Sequence, residues 1–239
     1  MKKQHSIRMK AATNLVLGVL VFSVGALCIS PIHENVAAEV QGNEIYRFAE
    51  NGKGVSLMFN VYMGTEYVYR ILEILSENEA KATFFIGGCW ADDNVDCLRT
   101  IYEQGHEIGN HGYFHKAQET LGLDGNKREI EDCNRFVELA IGISPTLFAP
   151  PSGAYNDATL EAVGMLNMKT ILWSKDTIDW RDKNAALIYS RATKNVKVGD
   201  FILMHPTEKT AEALGDILKY YKKNSLTAVT VSENLQLEG

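Results

Sequence analysis

Two histidines four positions apart have the spacing of a metal site. They are His111 and His115, in the stretch GNHGYFH at residues 109–115. Two imidazoles at this spacing can hold one metal ion, and the neighbouring glycines let the backbone approach it closely. A catalytic zinc usually takes three protein ligands and a water, so the pair is one ligand short. The alternative is two surface or capping histidines that bind no metal.

Other polar residues with possible chemistry follow short apolar runs. His205 comes directly after the run FILM, and its imidazole can act as a general acid that gives a proton to a leaving amine. Asp176 and Asp179 precede Trp180, and one of these carboxylates can orient His205. The turn at residues 150–153 (PPSG) can offer a backbone N–H to a developing oxyanion. The structural alternatives are a core histidine, a capping or solvated carboxylate and a tight loop.

The apolar runs predict a sheet that brings these residues together. The runs are short and rich in β-branched and aromatic residues, as buried strands are. They occupy residues 55–59, 82–86, 146–149, 170–173, 201–204 and 228–231. Because segments of helical spacing alternate with them, we expect a parallel sheet, open or closed into a barrel. The carboxyl ends of such strands carry the chemistry, so the histidines and carboxylates should meet at one end.

Composition excludes some partners. The chain has 239 residues, of which 46% are hydrophobic and 23% charged, which is the balance of an ordinary folded protein. The formal net charge is −6, so no strongly basic balance argues for nucleic acid. We therefore expect no nucleic-acid partner.

The N-terminus has the pattern of an export segment. Lys2, Lys3, Arg8 and Lys10 precede an apolar run at residues 15–29. This pattern predicts a signal peptide or an uncleaved membrane anchor over residues 1–38, with the rest of the chain secreted or at a bacterial cell surface. If the segment is not cleaved, residues 15–29 contact the membrane. We predict a polar leader over residues 39–53 and one domain over 54–239.

Three cysteines lie in the predicted domain, an odd number for an exported protein. They are Cys89, Cys97 and Cys133. A disulfide between Cys89 and Cys97 is one possibility, and buried or idle thiols are the interpretation that we favour.

Six motifs together resemble a known family. VSLMF, KATFFIGG, GHEIGNHGYFH, FAPPSGAYN, WSKDTIDW and GDFILMH occur in the order and spacing of polysaccharide deacetylases with a NodB homology domain, carbohydrate esterase family 4. The resemblance covers about residues 54–235. It implies a distorted (β/α) barrel of seven or eight strands. It also implies removal of acetyl groups from N-acetylated sugars of peptidoglycan, chitin or related polymers with a divalent metal, often zinc.

The resemblance assigns roles to residues that match the family's motifs. His111 and His115 fall on the metal-binding histidines, and His205 falls on the catalytic acid. Asp179 falls on the acid that tunes this histidine. The substrate pocket is then expected to include Pro151, Ser152, Trp180 and Leu203.

The first motif departs from the family. Asn60 stands in the position of the aspartate that activates water, and Val61 in that of the third metal ligand. Ala149 replaces an arginine that pairs with the first aspartate in the family. These losses are consistent with each other, because an arginine buried without its carboxylate would be an unpaired charge. The site should therefore be nearly inert by the family's ordinary mechanism.

Glu66 is a candidate substitute for the missing carboxylate, since it follows the same predicted strand. The alternative is a residue in a first helical turn, where negative charge suits the helix dipole. Two hypotheses follow: a deacetylase-like hydrolase with a degenerate site, or a catalytically inactive barrel that binds glycan at the cell surface.

Overall fold

A parallel sheet forms the centre of the computed structural model, which describes residues 44–237. Its strands are β1 (Ile45–Tyr46), β2 (Ser56–Val61), β3 (Thr83–Ile86), β4 (Glu107–Asn110), β5 (Leu147–Phe148), β6 (Lys169–Ile171), β7 (Lys175–Asp176) and β8 (Phe201–Met204). Their order is β1-β6-β5-β4-β3-β2-β8-β7, and every pairing is parallel. The sheet curls into a partly closed barrel of eight strands, which confirms the predicted fold class.

Helices pack against the sheet. They are α1 (Thr65–Glu77), α2 (Gly88–Asp93), α3 (Val95–Glu103), α4 (Leu123–Ile141), α5 (Asp157–Met165), α6 (Ala185–Thr193), α7 (Glu208–Lys223) and α8 (Val231–Leu235). Within residues 44–237, no helix combines the length and apolar character needed to cross a membrane. The predicted signal or anchor over residues 1–38 lies outside the described residues.

The central strand β2 separates two apolar layers. Leu57, Phe59 and Val61 belong to the main core between the sheet and its helices. Met58 belongs to a second cluster with Phe85, and this cluster fills the inside of the barrel. Because successive side chains of a strand point to opposite faces, Asn60 shares the inner face with Met58. The last inward-facing position of β2 therefore carries a polar side chain.

Helix α1 packs into the main core with the face that its apolar spacing predicts. Its buried side chains are Val68, Ile71, Leu72 and Leu75. The helix begins after Gly64, whose φ of 77° is left-handed and whose added side chain would collide with the carbonyl oxygen of Pro206. Glycine at this position therefore permits close contact between the loops after β2 and β8.

Part of the predicted leader over residues 39–53 takes part in the sheet. Residues 45 and 46 form β1 and pair with β6, and Phe48 forms an antiparallel bridge with Asp200. Ala49 is buried among the side chains inside the barrel. This short edge strand lies between polar residues, and two residues are too few to give a periodic signal in the sequence.

The predicted strand at residues 228–231 is wrong. Ala228 makes a single bridge with Val55, and Val231 already begins α8. Thr230 caps this helix: its hydroxyl accepts the Glu233 N–H, and the Glu233 carboxylate accepts the Thr230 N–H. This capping box favours a helix over a strand although the residues are β-branched.

The three cysteines within residues 44–237 are free thiols. Cys97 and Cys133 are buried and Cys89 is exposed, so the alternative of a Cys89–Cys97 disulfide is not formed. Burial raises the pKa of Cys97 to about 11 and that of Cys133 to about 12. The two buried thiols therefore stay protonated and act as small apolar side chains.

His106 should make stability depend on pH. Only 5% of its surface is exposed, its Nδ1 accepts the Ala82 N–H, and burial lowers its pKa from 6.5 to about 4. The unfolded chain binds a proton at His106 more readily than the folded protein does. The stability that the neutral His106 contributes is therefore complete above pH 6.5 and is lost as the pH falls towards 4. Urea unfolding at pH 7 and pH 4.5 measures how much the free energy of unfolding falls between these two pH values. This fall should be smaller for His106→Asn than for the unmodified protein, by about 2 kcal/mol. Equal losses would contradict the assignment.

Candidate active site

A cavity of about 370 Å³ lies at the carboxyl end of the barrel. Side chains from six separate strand ends and the loops that follow them meet around it, as expected for a parallel sheet. Its lining residues are Asn60, Tyr62, His111, His115, Ser152, Trp173, Asp176, Trp180, Leu203 and His205. Seven of the predicted site residues are in this set. The other two, Asp179 and Pro151, lie behind His205 and Ser152.

His111 is held by the strand next to its own. It follows β4 directly, is buried, and its Nδ1 lies 2.6 Å from the carbonyl oxygen of Ala149, after β5. Since a carbonyl only accepts, Nδ1 carries the hydrogen and Nε2 keeps a free lone pair. Burial lowers the pKa of His111 to about 3, so the ring is neutral. A carbonyl behind the ring is the arrangement that orients metal-ligating histidines.

His115 lies in a loop that Glu129 fixes in place. The centroids of the His111 and His115 rings are 5.0 Å apart. Glu129 is buried on α4, and its carboxylate accepts the Phe114 N–H at 2.8 Å and pairs with Lys116 at 2.9 Å. The loop needs this support because His115 has a left-handed backbone, with φ of 53°. Glu129 was not predicted, since only the fold brings α4 under the loop.

Tyr62 lies among the three histidines and was also missed. Its ring centroid is 4.0 Å from that of His115 and 6.2 Å from those of His111 and His205. Burial raises the pKa of Tyr62, so its phenol is neutral. Tyr62 comes directly after β2, and this position at the carboxyl end of a strand is the sequence signal that could have identified it as a site residue.

His205 is oriented by a buried carboxylate. Its Nδ1 lies 2.8 Å from Oδ1 of Asp179, and its backbone N–H donates to Oδ2 at 2.6 Å. The Thr210 hydroxyl also donates to Oδ2, at 2.6 Å. With Nδ1 directed at Asp179, Nε2 is the nitrogen left for the cavity. This is the arrangement of an orienting acid behind an acid–base histidine.

The loop that carries Asp179 is braced from below. The Thr177 hydroxyl donates to the Leu203 carbonyl at 2.7 Å, and Arg191 donates to the Thr177 carbonyl at 2.8 Å. Arg191 also pairs with Asp182 at 2.6 Å. These contacts secure the left-handed backbone of Ile178, with φ of 55°, and leave Trp180 56% exposed at the cavity rim.

The opposite rim is a turn after β5. Pro151 begins a single 3₁₀ turn at Pro151–Gly153, in which Ser152 has a left-handed φ of 57°. Ser152 lines the cavity, and Pro151 is buried behind it. Trp173 covers Gly153 so closely that a side chain there would collide with its ring.

The three departures from the family's pattern occupy different environments. Asn60 lines the cavity with 2% of its surface exposed, and its Oδ1 has no hydrogen-bond partner within residues 44–237. Val61 is fully buried in the core under the helices and does not line the cavity. Ala149 is fully buried inside the barrel. The valine and alanine are thus apolar residues in apolar surroundings.

Glu66 does not take the place of the missing carboxylate. It lies in the first turn of α1, as the structural alternative predicts. It lines an adjoining cavity of about 540 Å³, which shares Tyr62, Trp180 and His205 with the first.

The donor set for a metal is incomplete. Within residues 44–237, no three His, Cys, Asp or Glu side chains are grouped as a metal site requires. His111 and His115 supply two imidazoles, and Asn60 adds a carboxamide, which is a weak zinc ligand. These residues fit a weakened divalent site and not a complete catalytic one.

The parallel barrel and the His–Asp pair beside two imidazoles define a hydrolase-type site. The family model described as "Polysaccharide deacetylase" matches residues 49–171. A peptidoglycan-N-acetylglucosamine deacetylase of Bacillus cereus is 31% identical over 83% of this chain and 95% of its own length. The chain therefore belongs to the polysaccharide deacetylase family, as its motifs predict.

Two further relatives are informative. The uncharacterized protein YlxY of Bacillus subtilis is 35% identical over 87% of this chain, and the chain spans 65% of its length. A crystal structure of BA3943 from Bacillus anthracis, described as a CE4 family pseudoenzyme, is 34% identical with a TM-score of 0.78. The matched region covers 81% of this chain and 69% of the BA3943 chain. A BA3943 mutant, at 33% identity, is described as having restored enzymatic activity.

Removing the Asp179 carboxylate should destabilise the protein. Asp179→Ala leaves the Thr210 hydroxyl and the His205 N–H without their acceptor, and we expect it to lower the free energy of unfolding by about 3 kcal/mol. Asp176→Ala is the matched control, because Asp176 is half-buried and accepts one local N–H, from Ile178. It should cost about 1 kcal/mol. Urea unfolding of both variants measures the difference, and equal losses would contradict the central role of Asp179.

Proposed function

We propose that this protein is a deacetylase-like hydrolase of N-acetylated amino-sugar polymers, of the peptidoglycan or chitin type, with a weakened site. The observation that carries the proposal is that His205, oriented by Asp179 at 2.8 Å, lines one cavity with His111 and His115. A protein that only fills a structural role needs none of this arrangement. The B. cereus relative, a peptidoglycan-N-acetylglucosamine deacetylase, supports the substrate class.

In this proposal, His205, Asp179 and Asn60 have distinct parts in the hydrolysis of the amide bond. Water adds its oxygen to the acetyl carbonyl carbon, and the bond between this carbon and the sugar nitrogen breaks. The nitrogen leaves as an amine after it takes a proton from Nε2 of His205, and Asp179 stabilises the charged imidazole before the transfer. The proton that water loses passes to solvent, because the Asn60 amide is not a base at neutral pH. The products are acetate and the free amino sugar.

The missing groups lower the expected rate. Loss of a general base costs a factor of about 10²–10⁴. A divalent ion, for which zinc is our proposal, would be held by His111 and His115 and would polarise the acetyl carbonyl. Two neutral ligands bind a dication weakly. The substrate pocket in this proposal is formed by Ser152, Trp180 and Leu203, with Pro151 supporting Ser152.

A second candidate is a catalytically inactive glycan-binding barrel. Asn60, Val61 and Ala149 favour it, because each occupies its position without the charge that the family's mechanism uses. The description of BA3943 as a pseudoenzyme also supports it. Binding needs only the cavity and its aromatic rim, which are present in either case.

We also propose an extracytoplasmic location. Peptidoglycan lies outside the cytoplasm, and the segment at residues 1–38 has the sequence pattern of an export signal or anchor. If this segment is retained, residues 15–29 attach the protein to the membrane.

Acetate release tests the hydrolase proposal. With added zinc, the purified protein should release acetate from chitooligosaccharide or peptidoglycan about 10²–10⁴ times more slowly than a deacetylase with a complete site. His205→Ala should abolish the release, since the leaving amine then has no proton donor. Gln104→Ala, on the exposed end of α3, is a control that should change nothing. Absence of acetate after a day at high protein concentration would contradict the proposal and favour the binding candidate.

Restoring the lost charges tests whether the scaffold is still competent. The triple variant Asn60→Asp, Val61→Asp, Ala149→Arg places charges at buried positions, which destabilises the protein unless they pair or bind metal. Zinc should therefore raise the Tm of the triple variant more than that of the unmodified protein, and acetate release should increase. Calorimetry with and without chelator measures the first effect. A triple variant that folds but responds to zinc no more than the unmodified protein would contradict the expected site.

A further inference from the structure

The side chain of Asn60 has an unused hydrogen-bonding group in the cavity. Asn60 is 2% exposed and Oδ1 is buried without a partner in the described residues. A buried carbonyl oxygen without a hydrogen bond costs about 1–3 kcal/mol. The side chain lines the cavity, so a ligand there can reach the carboxamide. The cavity wall therefore contains a carboxamide whose oxygen receives no hydrogen bond from the described residues.

The walls around Asn60 are suited to a small, neutral, partly apolar group. Leu203 is on the neighbouring strand β8, and Tyr62, Trp173 and Trp180 contribute aromatic surface to the same cavity. A few polar groups among apolar and aromatic walls are typical of a small-molecule pocket. An acetamido group has a methyl for such walls and an N–H and a C=O for a carboxamide.

The carboxylates of the cavity lie apart from Asn60 or are already engaged. Asp176 is on β7, which is separated from β2 by β8, so its backbone is two strand spacings, roughly 10 Å, from that of Asn60, and its carboxylate accepts the Ile178 N–H. Asp179 is fully occupied by His205 and Thr210. A positive charge next to Asn60 would therefore lose water without gaining an adjacent opposite charge.

We propose that Asn60 makes this cavity selective for the intact acetamido group of the glycan over the free amine. The inference rests on the proposed glycan-binding function and extends it by naming the group that is recognised. The carboxamide donates to or accepts from a neutral acetamido, whereas a protonated amine offers only donors and brings a charge that is costly to bury. A carboxylate at residue 60 would reverse this preference, because it attracts the ammonium.

Binding of matched oligomers tests the selectivity without any turnover. The ligands are the N-acetylglucosamine tetramer and the glucosamine tetramer, titrated calorimetrically in mildly acidic buffer with a chelator, so that the amine is protonated and no metal contributes. The full-length protein should bind the acetylated tetramer about tenfold more tightly than the amine tetramer. Asn60→Asp should reduce this ratio to about one or invert it.

Asn60→Leu is the matched control, because it keeps the number and branching of the side-chain heavy atoms and removes both polar atoms. It should weaken binding of the acetylated tetramer about three- to tenfold and change amine binding little. Asn60→Ala repeats the test without a branched side chain if the leucine variant does not fold. Glu103→Gln should leave the ratio of affinities unchanged, since Glu103 is exposed at the end of α3 and does not line the cavity.

The outcomes separate the two proposals. If both tetramers bind and their affinity ratio is the same in the unmodified protein, Asn60→Asp and Asn60→Leu, the selectivity proposal is overturned and glycan binding stands. If neither tetramer binds to any of the proteins, glycan binding is overturned together with the inference. A ratio that shifts with residue 60 as described supports the inference.

Discussion

The buried carboxylate of Asp179 is the contact on which the site depends. It accepts from the His205 backbone, the His205 ring and the Thr210 hydroxyl, so one side chain joins the loop after β7 to the end of β8 and the start of α7. A buried carboxylate is tolerated only when its lone pairs are used in this way. The loop is braced in turn by Thr177 and Arg191. The contacts that satisfy this buried charge therefore also hold the His205 ring in its orientation.

The departures from the family's pattern are consistent with this view. The aspartate pair and the arginine form one charged group in the family, and this chain has replaced them together by Asn60, Val61 and Ala149. The valine and alanine extend the apolar layers on the two sides of the sheet. Only Asn60 keeps polar atoms, and it is the position with an unsatisfied oxygen. The hydrogen bonds on the His205 side of the site are made within the protein, whereas Oδ1 of Asn60 has no partner in the described residues.

Much of the fold and of the site could be predicted from the sequence. The strands β2, β3 and β8 are apolar runs of sufficient length, and α1 repeats its apolar residues at helical spacing, so local pattern was enough. The short strands β1 and β7 were not predicted: they have two residues each, lie in no apolar run, and form where neighbouring strands offer hydrogen bonds. The strand predicted at residues 228–231 failed because a capping box outweighs β-branched composition at that point.

By itself, the sequence determined the family, the barrel, the spacing of His111 and His115 and the loss of the aspartate pair, because these depend on residue type and order along the chain. The tertiary structure alone decided that Tyr62 lies among the three histidines, that Glu129 supports the loop of His115, that Glu66 lies outside the cavity, and that Asn60 has an oxygen without a partner. These facts concern distances between segments remote in sequence. Local propensities do not encode such distances, which arise only when packing sets the register of the sheet.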